Sequence, residues 1–162
     1  MEISEIERYI GMCGRKVTTC TEKSETLDVV GNVMELRKCT ERFNLAKYKY
    51  EMDKDGDAVG VYSKMADNSL EDGLARFAIF VFSLANSYKM NVQSLREGEN
   101  GRDKSFDEFI YSLLKISMSH YRSCKKIIIL IGMLCGYCDN NNIDLSWYIG
   151  MRLSAGLNQV AV

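Results

Sequence analysis

Apolar residues recur every three or four positions along most of this chain, which is the spacing of an α-helix with a buried face. The densest run begins at Ser69 and continues to about Tyr88, with apolar side chains on nearly every side. A helix that is apolar all round is expected at the centre of a bundle or at a subunit interface. Nearly twenty residues is too long for one β-strand, so the run is predicted to be helical.

Polar and charged breaks divide the pattern into six or seven predicted helices and no strand. Ser24 and Asp144 are the expected N-caps of the second and last helices, because their side chains can accept a backbone N–H. The charged stretch 51–57 is expected to be a loop, and the basic stretch 122–126 is expected to connect two helices. The predicted helices cover residues 2–12, 24 to about 50, 69 to about 88, 105–121, 127–140 and 144 to about 158.

The charged segment 96–104 is the only linker-like stretch in the sequence. The chain is therefore predicted to be a single all-α domain over residues 1–162, and the same break also allows two sub-units, 1–95 and 105–162. A weak internal repeat, referred to below as the echo, fits the second arrangement, because SLANSYKMNVQSL resembles GYCDNNNIDLSWYI at an offset of 53 residues. In each copy an apolar helix ends in a polar turn and the chain restarts on an apolar residue.

Composition supports the helical prediction and limits the choice of partners. The chain contains no proline, whereas the usual share of ~5% would give about eight in a chain of this length. Long unkinked helices are the easiest architecture to build without proline. The 21 basic and 22 acidic residues give a net charge of −1, which excludes a globally basic nucleic-acid binder, so no DNA or RNA polymer is expected.

The sequence also predicts a cytoplasmic protein that does not enter a membrane. Its start lacks the basic and apolar regions of an export signal. The most apolar run, 127–138, has twelve residues, whereas a helix that spans a bilayer needs about 20. The six cysteines are then expected to be reduced. No zinc site is predicted, because Cys135 and Cys138 have no second CxxC or CxxH to complete four ligands.

The segment KKIIILIGMLCGYCDNNNIDLSWYIGMRLSAGLN resembles the C-terminal part of the MazG-like all-α nucleoside triphosphate pyrophosphohydrolases. In that family a buried helix leads into a Gly-Ile-Asp-Leu-type turn, and the next helix carries a Glu-Trp-His-Ile-Glu-Lys-like pattern, here Ser146 to Arg152. The segment from Glu71 to Leu95 resembles the same helix–turn unit, with its turn at 89–92. The resemblance implies a MazG-like helical bundle of two degenerate units, a type of protein that is frequent in bacteriophages.

The family's chemistry depends on a Glu-x-x-Glu pair and a Glu-x-x-Asp pair that hold Mg²⁺ for attack of water between the phosphates. Counting back from the two turns places the second pair at Gly73 and Arg76, and again at Lys126 and Ile129. None of these four residues is a carboxylate. The resemblance therefore implies a protein that has lost its metal ligands, so no catalytic residue, metal site or cofactor is predicted. Mg²⁺ would be a cofactor only if the protein were a pyrophosphohydrolase.

A cation at the place of Mg²⁺ can bind a phosphate group directly. We therefore expect non-hydrolytic binding or sequestration of a nucleotide or a nucleotide-derived signalling molecule, as in a phage protein that counters host nucleotide signalling. Aromatic side chains at the site could stack on the base. The predicted ligand-binding residues are Arg76, Lys126, Lys125, Arg122, Lys47, Tyr48, Trp147 and Arg152.

The same residues also have ordinary structural interpretations. Arg76 can pair with Asp72, four residues earlier on the same helix, Lys126 can extend to the surface, and Trp147 can anchor a core. Two other classes of function stay open beside nucleotide binding. They are a purely structural or protein-binding helical module, and Mg²⁺-dependent pyrophosphohydrolysis with carboxylates such as Glu22, Glu25 and Asp28 supplied from another helix or chain.

A homo-oligomer is expected from the excess of apolar residues. The runs Phe77 to Phe82 and Ile127 to Leu134 are apolar on most sides. Six or seven short helices offer few neighbours to cover such faces, so a second subunit is expected to cover the remainder.

Overall fold

The computed structural model of the chain describes residues 1–14, 21–95 and 105–156. Within these ranges the chain forms eight α-helices and no β-strand, which confirms the predicted all-α class. The predicted linker 96–104 and the end of the last predicted helix lie outside the described residues. The helices are α1 (Ile3–Met12), α2 (Glu22–Arg37), α3 (Leu45–Asp55), α4 (Ala58–Met65), α5 (Leu70–Ser87), α6 (Phe106–Ser117), α7 (Ser123–Asn140) and α8 (Leu145–Ser154).

Helix α5 is the centre of the bundle, as its all-round apolar pattern predicts. It packs against α1, α2, α7 and α8, and thirteen of its 18 residues are buried. Ser69 is its N-cap, because the hydroxyl accepts a hydrogen bond from the N–H of Asp72 at 3.2 Å. Glu71 and Asp72 in the first turn are both buried and complement the positive end of the helix dipole. The central helix therefore begins with two carboxylates inside the protein.

Helix α7 runs antiparallel to α5. Tyr88, which ends α5, lies beside Ser123 at the start of α7. At the other end, Cys138 lies close enough to Glu71 for the carboxylate to influence its thiol. Residues near the start of α5 and residues near the start of α7 therefore belong to opposite ends of the bundle.

The predicted helix from 24 to about 50 is wrong, because this stretch forms two helices. Helix α2 ends at Arg37 and α3 begins only at Leu45. The seven residues between them lie against the bundle and place Cys39 and Phe43 in the core. The apolar positions lose their helical register at this point because the chain leaves the helix and changes direction there.

Two stretches predicted to be non-helical belong largely to helices. Helix α3 continues to Asp55 and ends at Gly56, whose φ of 69° is left-handed and suits glycine. Helix α7 begins at Ser123, so most of the predicted join 122–126 is its first turn. Charged side chains are good helix formers on a solvent-facing surface, which is why charge alone did not mark a loop here.

The echo at 53 residues is present in the backbone of two turns. Lys89 and Asn142, which are 53 residues apart, have positive φ angles of 50° and 54°. In each turn the next N–H donates to the carbonyl five residues earlier, at 3.0 and 2.9 Å, which is the Schellman ending of a helix. Val92 and Leu145 are again 53 residues apart, and both are buried. The two helix endings therefore share geometry as well as sequence.

The apolar runs that motivated the expected oligomer are covered within one chain. Phe77 and Phe82 are almost fully buried, as are most of the residues from Ile127 to Leu134. The argument that these runs lack neighbours is therefore wrong. In the part of the chain that the structure describes, no helix combines the length and apolarity needed to cross a bilayer.

Candidate functional site

Arg76 and Arg152 meet at a single buried carboxylate, that of Asp72, which is 1% exposed. Asp72 Oδ2 lies 2.8 Å from Arg152 Nη1 and 3.3 Å from Arg76 Nε. Asp72 Oδ1 accepts a hydrogen bond from the Tyr62 hydroxyl at 2.7 Å. Two guanidinium groups share one carboxylate, so this cluster of four side chains carries a net positive charge.

Three helices supply these side chains. Asp72 and Arg76 lie one turn apart on the same face of α5, where oppositely charged residues at i and i+4 attract each other. Arg152 extends from α8 and Tyr62 from α4, and α8 packs against both α4 and α5. Removing a carboxylate from water is costly unless it is paired and hydrogen-bonded. The contacts of Asp72 satisfy that requirement.

Arg76 is poorly satisfied by the protein around it. Its Nη2 donates to Cys39 Sγ at 3.1 Å, and sulfur is a weak acceptor. Its Nε is buried and faces Asp72 Oδ2 at 3.3 Å as an ion pair without hydrogen-bond geometry, and no other buried side-chain nitrogen or oxygen in the described ranges lacks a hydrogen bond. The side chain is 40% exposed. The part of the guanidinium that a ligand can reach is its Nη end, whose hydrogen bond goes to a thiol, and such donors suit an oxyanion.

Glu71 makes a separate and balanced ion pair beside this cluster. Its Oε1 accepts from Arg42 Nε at 2.5 Å, and its Oε2 accepts from the Phe43 N–H at 2.8 Å. The carboxylate is buried, whereas the Arg42 side chain is 63% exposed. Glu71 thus links the segment before α3 to the start of α5. Its negative charge is balanced by the positive charge of Arg42.

An aromatic cluster adjoins the Tyr62 side of the site. The Tyr62 ring centroid lies 5.8 Å from that of Trp147, and Tyr48 meets Trp147 edge-on at 5.5 Å. Tyr48 and Tyr62 are enclosed in the protein, whereas Trp147 is half-buried. The predicted pair of Tyr48 and Trp147 therefore comes together, with the indole as its more accessible member. The cluster consists of Phe43, Tyr48, Tyr62, Trp147 and Tyr148.

Burial keeps the hydroxyl and thiol groups of this region protonated at neutral pH. Burial, reinforced by the charge of Asp72, raises the pKa of Tyr62 far above its usual value. Burial also raises the pKa of Tyr148 to about 12, and it raises the pKa of Cys39 although Arg76 opposes the change. Tyr62 is therefore a hydrogen-bond donor to Asp72 and not a general base.

The other predicted cations lie elsewhere in the bundle. Lys126 donates from Nζ to a backbone carbonyl at the end of α6 at 3.0 Å, and Arg122 and Lys125 are exposed beside it. Helix α5 rises about 18 Å between Arg76 and Tyr88, the residue that lies beside the start of α7. The structure does not bring Lys126 into one pocket with Arg76. Lys47 is exposed on α3.

The positions that the resemblance assigns to metal ligands hold no group of carboxylates. A Cβ at Gly73 would lie 2.8 Å from Cys39 Cβ and Sγ, so α2 and α5 are too close for a larger side chain. Within the ranges described, no three His, Cys, Asp or Glu side chains are grouped so that they could hold a metal ion. Glu25, a carboxylate of the enzyme alternative, is buried and accepts a hydrogen bond from the Tyr88 hydroxyl.

Sequence reasoning named three residues of this cluster, Arg76, Arg152 and Asp72, and missed Tyr62 and the contact that joins Arg152 to Asp72. The i, i+4 spacing identified Asp72 as a partner of Arg76, and the ion pair is present. Tyr62 and Arg152 are 10 and 80 residues away from Asp72 along the chain, and no local pattern connects them. Helix α4, which carries Tyr62, was not predicted, so no signal in the sequence could have placed it here.

Comparison with known proteins adds no relative to this description. No family model matches the chain, and neither a curated protein nor a solved structure is significantly similar to it. The likeness to MazG-like pyrophosphohydrolases therefore stays a prediction that rests on the quoted segments. What the site can do has to be argued from its own charges, distances and burial.

Proposed function

We propose that this protein binds a nucleotide, or a nucleotide-derived phosphate, without hydrolysing it, at the Asp72 end of the bundle. The observation that carries the proposal is the state of Arg76, a partly exposed guanidinium whose one hydrogen bond among the described residues goes to the sulfur of Cys39. Guanidinium donors match phosphate oxygens and can bind two of them at once. Arg152, on the same carboxylate, adds positive potential.

Asp72 is a positioning residue in this proposal. Its Oδ2 holds both guanidinium groups, and the Tyr62 hydroxyl fixes its Oδ1. Because the arginine side chains are already ordered, ligand binding avoids part of the usual cost of about 0.5–1.5 kcal/mol for immobilising each long side chain. Arg76 would contact the phosphate, and Arg152 would act mainly through its charge.

Trp147 is the proposed contact for the base. Its ring is half-buried and packs against Tyr62, which in turn binds Asp72. Stacking of a base on an aromatic side chain contributes about 1–3 kcal/mol. An aromatic edge and a pair of arginines joined through one tyrosine suit a ligand that carries both a base and a phosphate.

Binding without hydrolysis is supported by the residues at the four positions that the resemblance assigns to metal ligands. A metal-dependent reaction needs several carboxylates on one hard cation. Gly73, Arg76, Lys126 and Ile129 supply none, and the close contact of Gly73 with Cys39 leaves no room for a glutamate there. We therefore expect the bound ligand to be recovered intact.

Titration calorimetry with nucleoside triphosphates and cyclic nucleotides, with and without Mg²⁺, tests this proposal. We expect a dissociation constant that does not depend on Mg²⁺, quenching of the fluorescence of the single tryptophan, and intact nucleotide by mass spectrometry. Arg76→Gln should weaken binding at least about tenfold, because a hydrogen bond to a charged group contributes about 1.5–3 kcal/mol.

Arg42→Gln is the matched control for this experiment. It removes a guanidinium from the same end of α5, but from the balanced pair with Glu71. Its affinity should equal that of the unmodified protein, and so should that of Lys126→Gln at the opposite end of the bundle. Equal affinity of Arg76→Gln and the unmodified protein would remove the site, and release of pyrophosphate with Mg²⁺ would favour the enzyme alternative.

A further inference from the structure

A cleft of about 650 Å³ opens between α1, the end of α7 and α8. Natural ligand pockets have volumes of this size. Its rim is acidic, although the carboxylate of Asp139 also faces the amino group of Met1 at 3.6 Å and those of Glu5 and Asp144 accept hydrogen bonds within the protein. Its floor is apolar. The acidic rim consists of Glu2, Glu5, Asp139 and Asp144, and the floor includes Ile143, Leu145, Trp147 and Met151.

The turn between α6 and α7 has the opposite character. No acidic residue occurs between positions 115 and 138 of the sequence, whereas this stretch contains four basic residues and the only histidine. Met118 and Tyr121 are 69% and 42% exposed, and the Lys125 ammonium lies 4.3 Å from the centroid of the Tyr121 ring. We call residues 115–125 the basic corner.

The basic corner and the acidic cleft lie at opposite ends of α7. That helix has 18 residues and is about 27 Å long, so the basic corner of a chain cannot reach its own cleft. The corner of a second copy can. Its exposed apolar tip matches the apolar floor, and its cations match the acidic rim.

We propose that this protein associates with itself head to tail, with the basic corner of one copy in the acidic cleft of the next. Met118 and Tyr121 enter the cleft, while Arg122 and Lys125 face the carboxylates of the rim. The inference does not rest on the proposed nucleotide site, since neither Arg76 nor Arg152 lines the cleft. Trp147 is shared by both, so association is measured without nucleotide.

A head-to-tail contact uses two different surfaces of each copy. It therefore closes into a ring or continues as a chain, and the mean size of the assembly rises with protein concentration. A net charge of −1 provides little overall repulsion to oppose such growth. The attraction between the two surfaces is electrostatic at long range and is weakened by salt.

Sedimentation velocity over a range of micromolar concentrations tests the proposal. We expect the mean sedimentation coefficient to rise with concentration at about 0.05 M salt and to fall back towards the monomer at about 1 M salt. A single monomeric species at every concentration and both salt levels would overturn the inference, and would leave the corner and the cleft as separate surfaces.

Charge exchange provides the sharper test. Arg122→Glu with Lys125→Glu places two carboxylates on the corner, and Asp139→Lys with Ser154→Lys places two cations on the rim beside Glu2, Glu5 and Asp144, each at a helix end where the dipole favours the new charge. Each double variant alone should associate at least about tenfold more weakly, because two like charges then meet across the contact. An equimolar mixture of the two should associate again, because a contact between one variant and the other joins opposite charges.

A matched control changes the same charge elsewhere. Lys49 and Lys64 are exposed on α3 and α4 and neither lines the cleft nor belongs to the basic corner, so Lys49→Glu with Lys64→Glu should associate like the unmodified protein. Equal loss of association in this control, or failure of the mixture to recover, would overturn the proposed contact even if the unmodified protein associates.

Discussion

Asp72 determines the chemistry of the candidate site. It is nearly inaccessible to solvent, and it is stabilised by two guanidinium groups and one tyrosine hydroxyl on three helices. The partners stabilise the buried carboxylate, and the carboxylate in turn fixes the orientation of the two guanidinium groups and the hydroxyl. The weakly bonded donors of Arg76 are the chemical consequence, because the backbone position of α5 and the contact with Asp72 leave its Nη2 only a thiol to bond.

Asp72→Asn should lower the free energy of unfolding by about 3 kcal/mol or more, because it removes the carboxylate from a mostly buried Arg152, and breaking one partner of a buried pair typically costs about 3–5 kcal/mol. Urea unfolding measures the effect. Glu35→Gln is the control, since the Glu35–Lys38 pair is exposed and is expected to contribute about 1 kcal/mol or less. Similar losses in the two variants would contradict the assigned role of Asp72.

Alkaline pH should destabilise the fold through its buried tyrosines. Burial raises the pKa of Tyr148 to about 12 and that of Tyr62 further. The protonated tyrosines therefore stabilise the fold fully below about pH 10, the pKa of an unfolded tyrosine, and this stabilisation is lost as the pH rises above that value. Each such tyrosine contributes a slope of about 1.4 kcal/mol per pH unit. Urea midpoints between pH 8 and pH 12 should show this decline. Tyr62→Phe should reduce the slope of stability against pH, whereas Tyr111→Phe, which changes an exposed tyrosine, should not.

At the scale of elements, the close approach of α2 to α5 distinguishes this protein from what the resemblance implies. Gly73 lies on α5 against Cys39, just beyond the end of α2, and no Cβ fits between them. The apolar pattern predicted α5 correctly, including its central place, because an all-round apolar helix has no other stable position. The pattern failed between residues 38 and 68, where short helices are held by contacts with α5 and α8.

Gly73→Ala should destabilise the fold by about 1–3 kcal/mol, because the added methyl overpacks a tight helix contact. Gly31→Ala is the matched control: it lies inside α2 with open space around its position, so alanine should stabilise by about 0.5–1 kcal/mol. Thermal unfolding of both variants measures the difference. A gain in stability for Gly73→Ala would mean that α2 and α5 can separate at no cost.

For the whole molecule, the distribution of charge carries more information than its sum. A net charge of −1 conceals a positive cluster at Asp72, an acidic rim around the cleft and a basic corner at the far end of α7. The antiparallel packing of α5 and α7 separates Arg76 from Lys126, although the resemblance assigns both to carboxylate positions. One site that uses both cations is therefore not formed within a chain.

The sequence by itself determined the all-α class, the central helix and the repeated helix ending at 89 and 142, because each depends on local periodicity and turn residues. It also selected Arg76, Arg152, Tyr48 and Trp147 as predicted ligand-binding residues and named Asp72 as the partner of Arg76. Only the tertiary structure decided that Tyr62 and Arg152 both contact Asp72 and that Lys126 lies elsewhere. Contacts across 10 to 80 residues depend on how helices pack, and no spacing along the chain encodes that packing.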